Sequence, residues 1–164
     1  MISSTEDLTT MAIDMKAANR LPPRGDEIRV FTRFEYALKD GGFGKAGRKN
    51  VVEADWDLFA SRELKAPFFA AVKAKALAPT LMTNPPSRQT LQGSTLGWDT
   101  VPPPANVTEL LVAVRRVRNN LVHGGKSGDQ DSDRNDSLVA EAIEVLLEAL
   151  RCHSDLRAIF ERRW

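Results

Sequence analysis

Apolar residues recur at helical spacing in several separate stretches of this chain. In the first stretch, from about Asp26 to Asp40, one face of a helical wheel at ~100° per residue carries Ile28, Phe31, Phe34 and Leu38. No stretch shows sustained alternation of apolar and polar residues with a period of two. The pattern therefore predicts an all-α fold.

Three further helical stretches follow. Residues 55–77 have helical periodicity and contain Pro67, which predicts two helices broken near that proline. The next helix follows three prolines, with Asn106 as its predicted N-cap and Glu109 completing a capping box. The last long helix, from about Ser137 to Cys152, has so wide an apolar surface that we expect it at the centre of a bundle.

A length of 164 residues favours a single domain covering residues 1–164. Residues 1–25 end in Leu-Pro-Pro-Arg-Gly and are predicted to form a mobile N-terminal arm. Residues 79–105 hold six of the nine prolines, which predicts a long irregular loop.

A net charge of +1 gives no global attraction to nucleic acid, so binding to a polyanion has to come from a local basic patch. One cysteine, Cys152, excludes an intramolecular disulfide framework. The N-terminus lacks the features of a secretory signal, and no run approaches the roughly 18 apolar residues of a membrane span. We therefore expect a cytoplasmic protein with no membrane partner.

The glycine-rich basic segment 40–50 invites a nucleotide-binding interpretation. A P-loop needs a glycine where Lys39 stands and a serine or threonine where Ala46 stands, and it follows a strand rather than a helix. A nucleotide-binding regulator is therefore the least favoured of the functions considered, and a solvated turn is the simpler interpretation.

The most informative segment is Arg116 to Lys126, which reads Arg-Val-Arg-Asn-Asn-Leu-Val-His-Gly-Gly-Lys. Arginine holds a phosphate through paired hydrogen bonds, and histidine exchanges a proton near neutral pH. Arg118 and His123 differ in direction by roughly 140° around the helix, so they meet at a common phosphate only at the helix end or across a twofold axis. Asn119, four residues before His123, is placed to orient the imidazole.

A purely structural interpretation also fits these residues. A histidine before two glycines often interacts with the last carbonyls and the dipole of its helix. Glu35, in contrast, falls within the apolar stripe of its helix, where a carboxylate needs a cationic partner. The candidates for that partner are Arg33, Arg115 and Arg118.

The segment Arg118-Asn119-Asn120-Leu121-Val122-His123, with its trailing Gly-Gly-Lys, resembles the arginine-to-histidine motif of HEPN domains. The stretch from Arg33 to Lys39, with Ala54-Asp55-Trp56-Asp57 downstream, looks like the N-terminal half of small bacterial HEPN nucleases. The resemblance covers about half of the chain. It implies an antiparallel bundle of four to five main helices that dimerises through the motif helices and, in active members, cuts RNA without metal or other cofactor.

The resemblance also implies roles for individual residues. His123 would be the general acid or base, Arg118 would stabilise the transition state and Asn119 would orient the histidine, with Arg33 and Glu35 as possible supporting residues. Arg115, Arg116 and Lys126 would contact RNA phosphates. The leading expectation is a homodimeric ribonuclease acting as a toxin or anti-phage effector, possible partners being RNA and an antitoxin. The alternative is a non-catalytic HEPN module that binds a nucleotidyltransferase-like partner or nucleic acid.

Overall fold

The structure is a computed structural model that describes the backbone of residues 23–123 and 132–162, and the side chains of 26–122 and 133–162. Helices predominate, which confirms a mainly-α fold. The α-helices are α1 (Pro23–Asp40), α2 (Trp56–Phe59), α3 (Lys65–Ala74), α4 (Pro79–Thr83), α5 (Val107–His123), α6 (Ser132–Cys152) and α7 (Ser154–Phe160). The strands are β1 (Gly44–Ala46), β2 (Val52–Ala54), β3 (Arg88–Gln92) and β4 (Thr95–Asp99), with a 3-10 turn at Arg48–Asn50 and a π-helical turn at Ala60–Leu64.

Two antiparallel hairpins correct the expectation of a purely helical chain. Strands β1 and β2 form one two-stranded sheet, and β3 and β4 form the other. Within the segment 79–105, where an irregular loop was expected, the chain forms α4 and the β3–β4 hairpin. Most residues of these strands are exposed, so no buried face imposes the apolar alternation that marks a strand in a sequence.

The chain divides into two compact units, the first formed by residues 1–64 and 146–164 and the second by 65–145. The main chain leaves the first unit through the π-helical turn and reaches Lys65, whose φ is +60°. This left-handed residue ends one helix two positions before Pro67, so the predicted break in the helix is confirmed. The single domain covering residues 1–164 stays a prediction.

An aromatic cluster forms the core of the first unit. Phe34 of α1 stacks on Trp56 with ring centroids 5.2 Å apart, and Phe59 contacts both Phe34 and Phe43 edge to face. His153 packs edge-on against Phe43 and Phe59, and its Nδ1 atom accepts the backbone N–H of Leu156 at 3.1 Å to cap α7. Helix α1 contacts α7 and both strands of the first hairpin.

In the second unit, α5 contacts α3 and α4. Its predicted N-cap is confirmed, because Asn106 Oδ1 accepts the backbone N–H of Glu109 at 2.9 Å. The Glu109 carboxylate accepts the N–H of Ala105 at 2.6 Å, one residue earlier than in the standard box. Helix α4 has no cap from its own N-cap residue, Ala78, and is capped by Glu141 of α6 instead.

Helix boundaries agree with the periodicity at the C-terminal ends of α1 and α6, at Asp40 and Cys152. The N-terminal ends lie earlier than predicted. Helix α1 starts at Pro23 rather than near Asp26. Proline is well suited to the first turn of a helix. The rest of the predicted arm, residues 1–22, lies outside the described residues. Within the described part of the chain, no helix is both long and apolar enough to cross a membrane.

Candidate nucleic-acid interface

Helix α5 carries the motif, and its core face is broad. Leu110, Leu111, Val114 and Val117 are all buried, with 1% of the surface of Leu111 exposed. Val122, in contrast, is exposed, at 45%. The polar surface of the helix is therefore confined to one sector.

A cleft of about 410 Å³ opens along that polar sector. The α5 residues that line it recur every three or four positions, as single residues or adjacent pairs, which places them on one side of the helix. Its walls are formed by Val112, Arg115, Arg116, Asn119 and Asn120 of α5 with Arg88 and Gln89 of β3. Among the residues that the structure describes, the lining therefore combines three guanidinium groups with three amide groups and includes no carboxylate.

The structure brings together three of the predicted site residues, Arg115, Arg116 and Asn119. Position 123 is four residues after Asn119 and seven after Arg116, and α5 extends to it, so the backbone places this position on the same side of the helix. The side chain of His123 and the whole of Lys126 lie outside the described residues.

Arg118 is on a different side of α5. Its direction from the helix axis differs by roughly 140° from that of position 123. The side chain is half-buried, and its Nε atom is shielded from solvent. Arg118 therefore does not line the cleft formed by the arginines at 88, 115 and 116.

The sequence did not single out Arg88 or Gln89, because both lie in the segment that was expected to be an irregular loop. The hairpin is attached to the motif helix by Asn120, whose Nδ2 atom donates a hydrogen bond to the carbonyl oxygen of Ser87 at 3.2 Å. This bond holds the start of β3 beside α5. The sequence signal that was available was the basic and amide pair itself, Arg88-Gln89, in a segment rich in proline.

The arginines of the cleft affect one another. Partial burial and, to a smaller extent, the nearby positive charge of Arg88 hold the pKa of Arg116 below its ordinary value. Arg88 in turn lies 3.6 Å from the Asp99 carboxylate, measured from Nη2 to Oδ2. The cleft is therefore a region of concentrated positive charge at neutral pH.

The possible supporting residues Arg33 and Glu35 lie in the first unit. Arg33 donates from Nη2 to the carbonyl oxygens of Phe160 and Arg162, the latter at 3.1 Å, and its guanidinium lies 5.0 Å from the centre of the Phe160 ring. Burial and the charge of Arg29 lower the pKa of Arg33, while Glu161 acts in the opposite direction. These contacts give Arg33 a structural role at the end of α7. Glu35 is half-buried, and the supporting role of both residues stays a prediction.

Comparison of this chain with protein-family models, with curated proteins and with solved structures finds no match.

Proposed function

We propose that this protein is a metal-independent endoribonuclease of the HEPN type that acts as a homodimer in toxin or phage-defence systems. The observation that supports the proposal most directly is the basic cleft beside Asn119, on the side of α5 that also holds position 123. Guanidinium groups are suited to bind phosphates through paired hydrogen bonds. A histidine at the end of such a cleft is suited to proton transfer at neutral pH.

In the proposed reaction, the 2′-hydroxyl oxygen of one ribose attacks the adjacent phosphorus. His123 takes the proton of that hydroxyl as the new P–O bond forms. The bond from phosphorus to the 5′ oxygen of the next nucleotide breaks, and the imidazolium returns the proton to that oxygen. The products are a 2′,3′-cyclic phosphate and a 5′-hydroxyl, and no oxidant or additional reactant is needed.

Arg118 would stabilise the negative charge that develops on the phosphate oxygens. Because its direction on α5 differs by roughly 140° from that of position 123, we infer that the arginine in each site comes from the partner protomer. An isologous dimer that pairs the motif helices makes two such composite sites. Asn119 would orient the imidazole or the phosphate within each of them.

The direct test is cleavage of 5′-labelled single-stranded RNA in the presence of EDTA. Replacement of His123 or Arg118 by alanine is expected to slow cleavage by about 10²-fold or more. Arg62→Ala is a matched control, since Arg62 is exposed and lies in the first unit. A substrate with 2′-deoxyribose at the cleaved position is expected to resist cleavage. Equal cleavage by wild type and both variants would exclude this site.

Mixing the two inactive variants tests the composite site. In a dimer of His123→Ala with Arg118→Ala, one of the two sites is intact if the two residues come from different protomers. A statistical mixture should then recover about a quarter of wild-type activity, because half of the dimers are mixed. No recovery is expected if the residues act within one protomer. RNA binding without cleavage by any form of the protein would instead favour a non-catalytic interaction module.

A further inference from the structure

Arg88 and Arg116 bring two positive charges together from different elements, the β3 strand and the α5 helix. Like charges in a partly desolvated cleft repel one another, and the pKa of Arg116 is lowered by this burial and by Arg88. Such an arrangement costs stability unless an anion is present. An anion bound between the two guanidinium groups would remove the repulsion.

The surroundings of Arg88 and Arg116 suit an anion that also has polar and apolar groups to contact the cleft. Asn119 and Gln89 contribute amide groups, which donate and accept hydrogen bonds, and Val112 contributes an apolar surface. A cleft of about 410 Å³ lies within the ~300–1,000 Å³ that small-ligand sites occupy. Phosphate, sugar and base of a nucleotide offer this combination of negative, polar and apolar surfaces.

One carboxylate already interacts with Arg88. Asp99 is directly opposite Arg88 in the β3–β4 register, with 3.6 Å between its Oδ2 atom and Nη2 of the arginine. Both side chains are substantially exposed, at 63% for Arg88 and 45% for Asp99, so their ion pair is weak and open to exchange. Asp99 also accepts a long hydrogen bond from Gln92 of β3, at 3.4 Å, which holds its carboxylate against the neighbouring strand.

We propose that Arg88 and Arg116 form a phosphate-binding subsite for single-stranded RNA, separate from Arg118 and His123, and that Asp99 competes with the RNA phosphate for Arg88. The choice of RNA as ligand rests on the proposed function, whereas the anion site itself rests on the cleft. The β3–β4 hairpin is then a wall of the RNA-binding surface. Its position is fixed by the hydrogen bond from Asn120 to Ser87.

Fluorescence anisotropy with a labelled 2′-O-methyl single-stranded RNA tests the subsite, because this RNA has no free 2′-hydroxyl to attack the phosphorus. Arg88→Ala and Arg116→Ala are each expected to weaken binding about tenfold at low salt. Each should also reduce the slope of log affinity against log salt by about 0.7, the value for one phosphate contact on a single strand. Arg88→Lys should restore the slope but only part of the affinity, because lysine lacks the planar fork.

Asp99→Asn gives the sharper result, since removal of the competing carboxylate should tighten RNA binding several-fold. Asp136→Asn is the matched control: it removes one negative charge from the same unit at an exposed position of α6. Tightening by Asp99→Asn alone supports the competition. Equal tightening by both variants would mean that net charge alone causes the effect, which would overturn the competition. RNA binding at the wild-type level by Arg88→Ala and Arg116→Ala would overturn the subsite.

The combined results of the cleavage and binding assays separate this inference from the proposed function. If no form of the protein cleaves RNA but binding depends on Arg88 and Arg116, the subsite is upheld and the nuclease is rejected. If His123-dependent cleavage occurs while binding ignores both arginines, the nuclease is upheld and the subsite is rejected. Pyrophosphate, added alone, is the control ligand: thermal stabilisation by pyrophosphate without any binding of RNA would reject RNA as the ligand.

Discussion

Asn120 donates its side-chain N–H to the carbonyl oxygen of Ser87 at 3.2 Å, and this bond joins the motif helix to the hairpin that completes the cleft. The two adjacent asparagines of the motif therefore differ in their surroundings. Asn119 is exposed in the cleft, whereas Asn120 is half-buried and bound to the backbone before β3.

We expect Asn120→Ala to lower the free energy of unfolding by about 0.5–1.5 kcal/mol, the usual net value of one hydrogen bond. The amides of β3 and β4 should also exchange hydrogen faster, because the start of the hairpin is no longer fixed. Native-state hydrogen exchange measures this change. Asn119→Ala is the control, and it should alter RNA cleavage while leaving exchange in the hairpin unchanged. The reverse assignment would show that Asn120 is the functional asparagine.

Glu141 caps α4 from outside that helix. Its two carboxylate oxygens accept the backbone N–H groups of Thr80 and Leu81 at 3.0 and 2.9 Å. Glu141→Ala should destabilise the protein by about 1–2 kcal/mol in urea unfolding, because two amides at a helix N-terminus lose their acceptor. Glu144→Gln, one turn later and half-buried, should change the stability much less. Equal losses would mean that charge in α6, rather than the cap, stabilises the unit.

Arg33 has two possible roles that one comparison separates. Because the Arg33 side chain binds the carbonyls of Phe160 and Arg162 and lies over the Phe160 ring, Arg33→Ala should cost about 1–3 kcal/mol of stability. Arg33→Lys should recover only part of this, since lysine lacks the planar guanidinium that lies over the Phe160 ring. Arg29→Ala, an exposed position one turn earlier, should be nearly neutral or slightly stabilising. Slower RNA cleavage by folded Arg33→Ala, with unchanged stability, would instead agree with the predicted supporting role.

Arg116→Gln should increase stability while it decreases RNA affinity. The lowered pKa means that the folded state binds the arginine proton less tightly than the unfolded state does, so the protonated arginine destabilises the fold. Because this side chain is only half-buried, water screens its charge, so the gain should stay below about 1 kcal/mol and should shrink as added salt screens the repulsion from Arg88.

The direction of this pKa shift also predicts how the stability gain of Arg116→Gln depends on pH. Stability recovers only as the pH rises toward the folded-state pKa, far above neutrality, because the cost disappears when the proton is lost. Between about pH 5 and 9 the arginine is protonated in both states, so the difference between wild type and Arg116→Gln should not vary with pH. Denaturation curves over that range measure it, and a steep change near neutrality would implicate another titrating group.

Local sequence rules predicted the features of this fold that depend on neighbours in the chain. Asn106 and Glu109 form the predicted cap, and the apolar residues of α1 and α6 are largely buried at the expected spacing. The individual roles of the acidic residues in α6 were not predicted. In the structure Glu141 caps a helix and Glu148 is 3% exposed and paired with Arg151 at 2.7 Å. Those roles depend on partners that charge counting does not identify.

Only part of the cleft lining was predicted, because the other part also depends on contacts between residues that are distant in the sequence. Arg115, Arg116 and Asn119 were found because they share one helix, and helical spacing is readable in sequence. Arg88 and Gln89 join them through a hairpin whose strands are mostly exposed, so backbone pairing rather than an apolar pattern sets the register. Nothing in the spacing of the sequence connects β3 with α5.

The β3–β4 hairpin forms its own two-stranded sheet, turns at Gly93 with φ +65°, and presents Leu91 and Leu96 to solvent at 76% and 55% exposure. The exposed residues at its tip can therefore be substituted without disturbing the packing of the helices. Under the proposed function, substitutions at this tip would alter contacts with the ligand while leaving the residues of α5 unchanged.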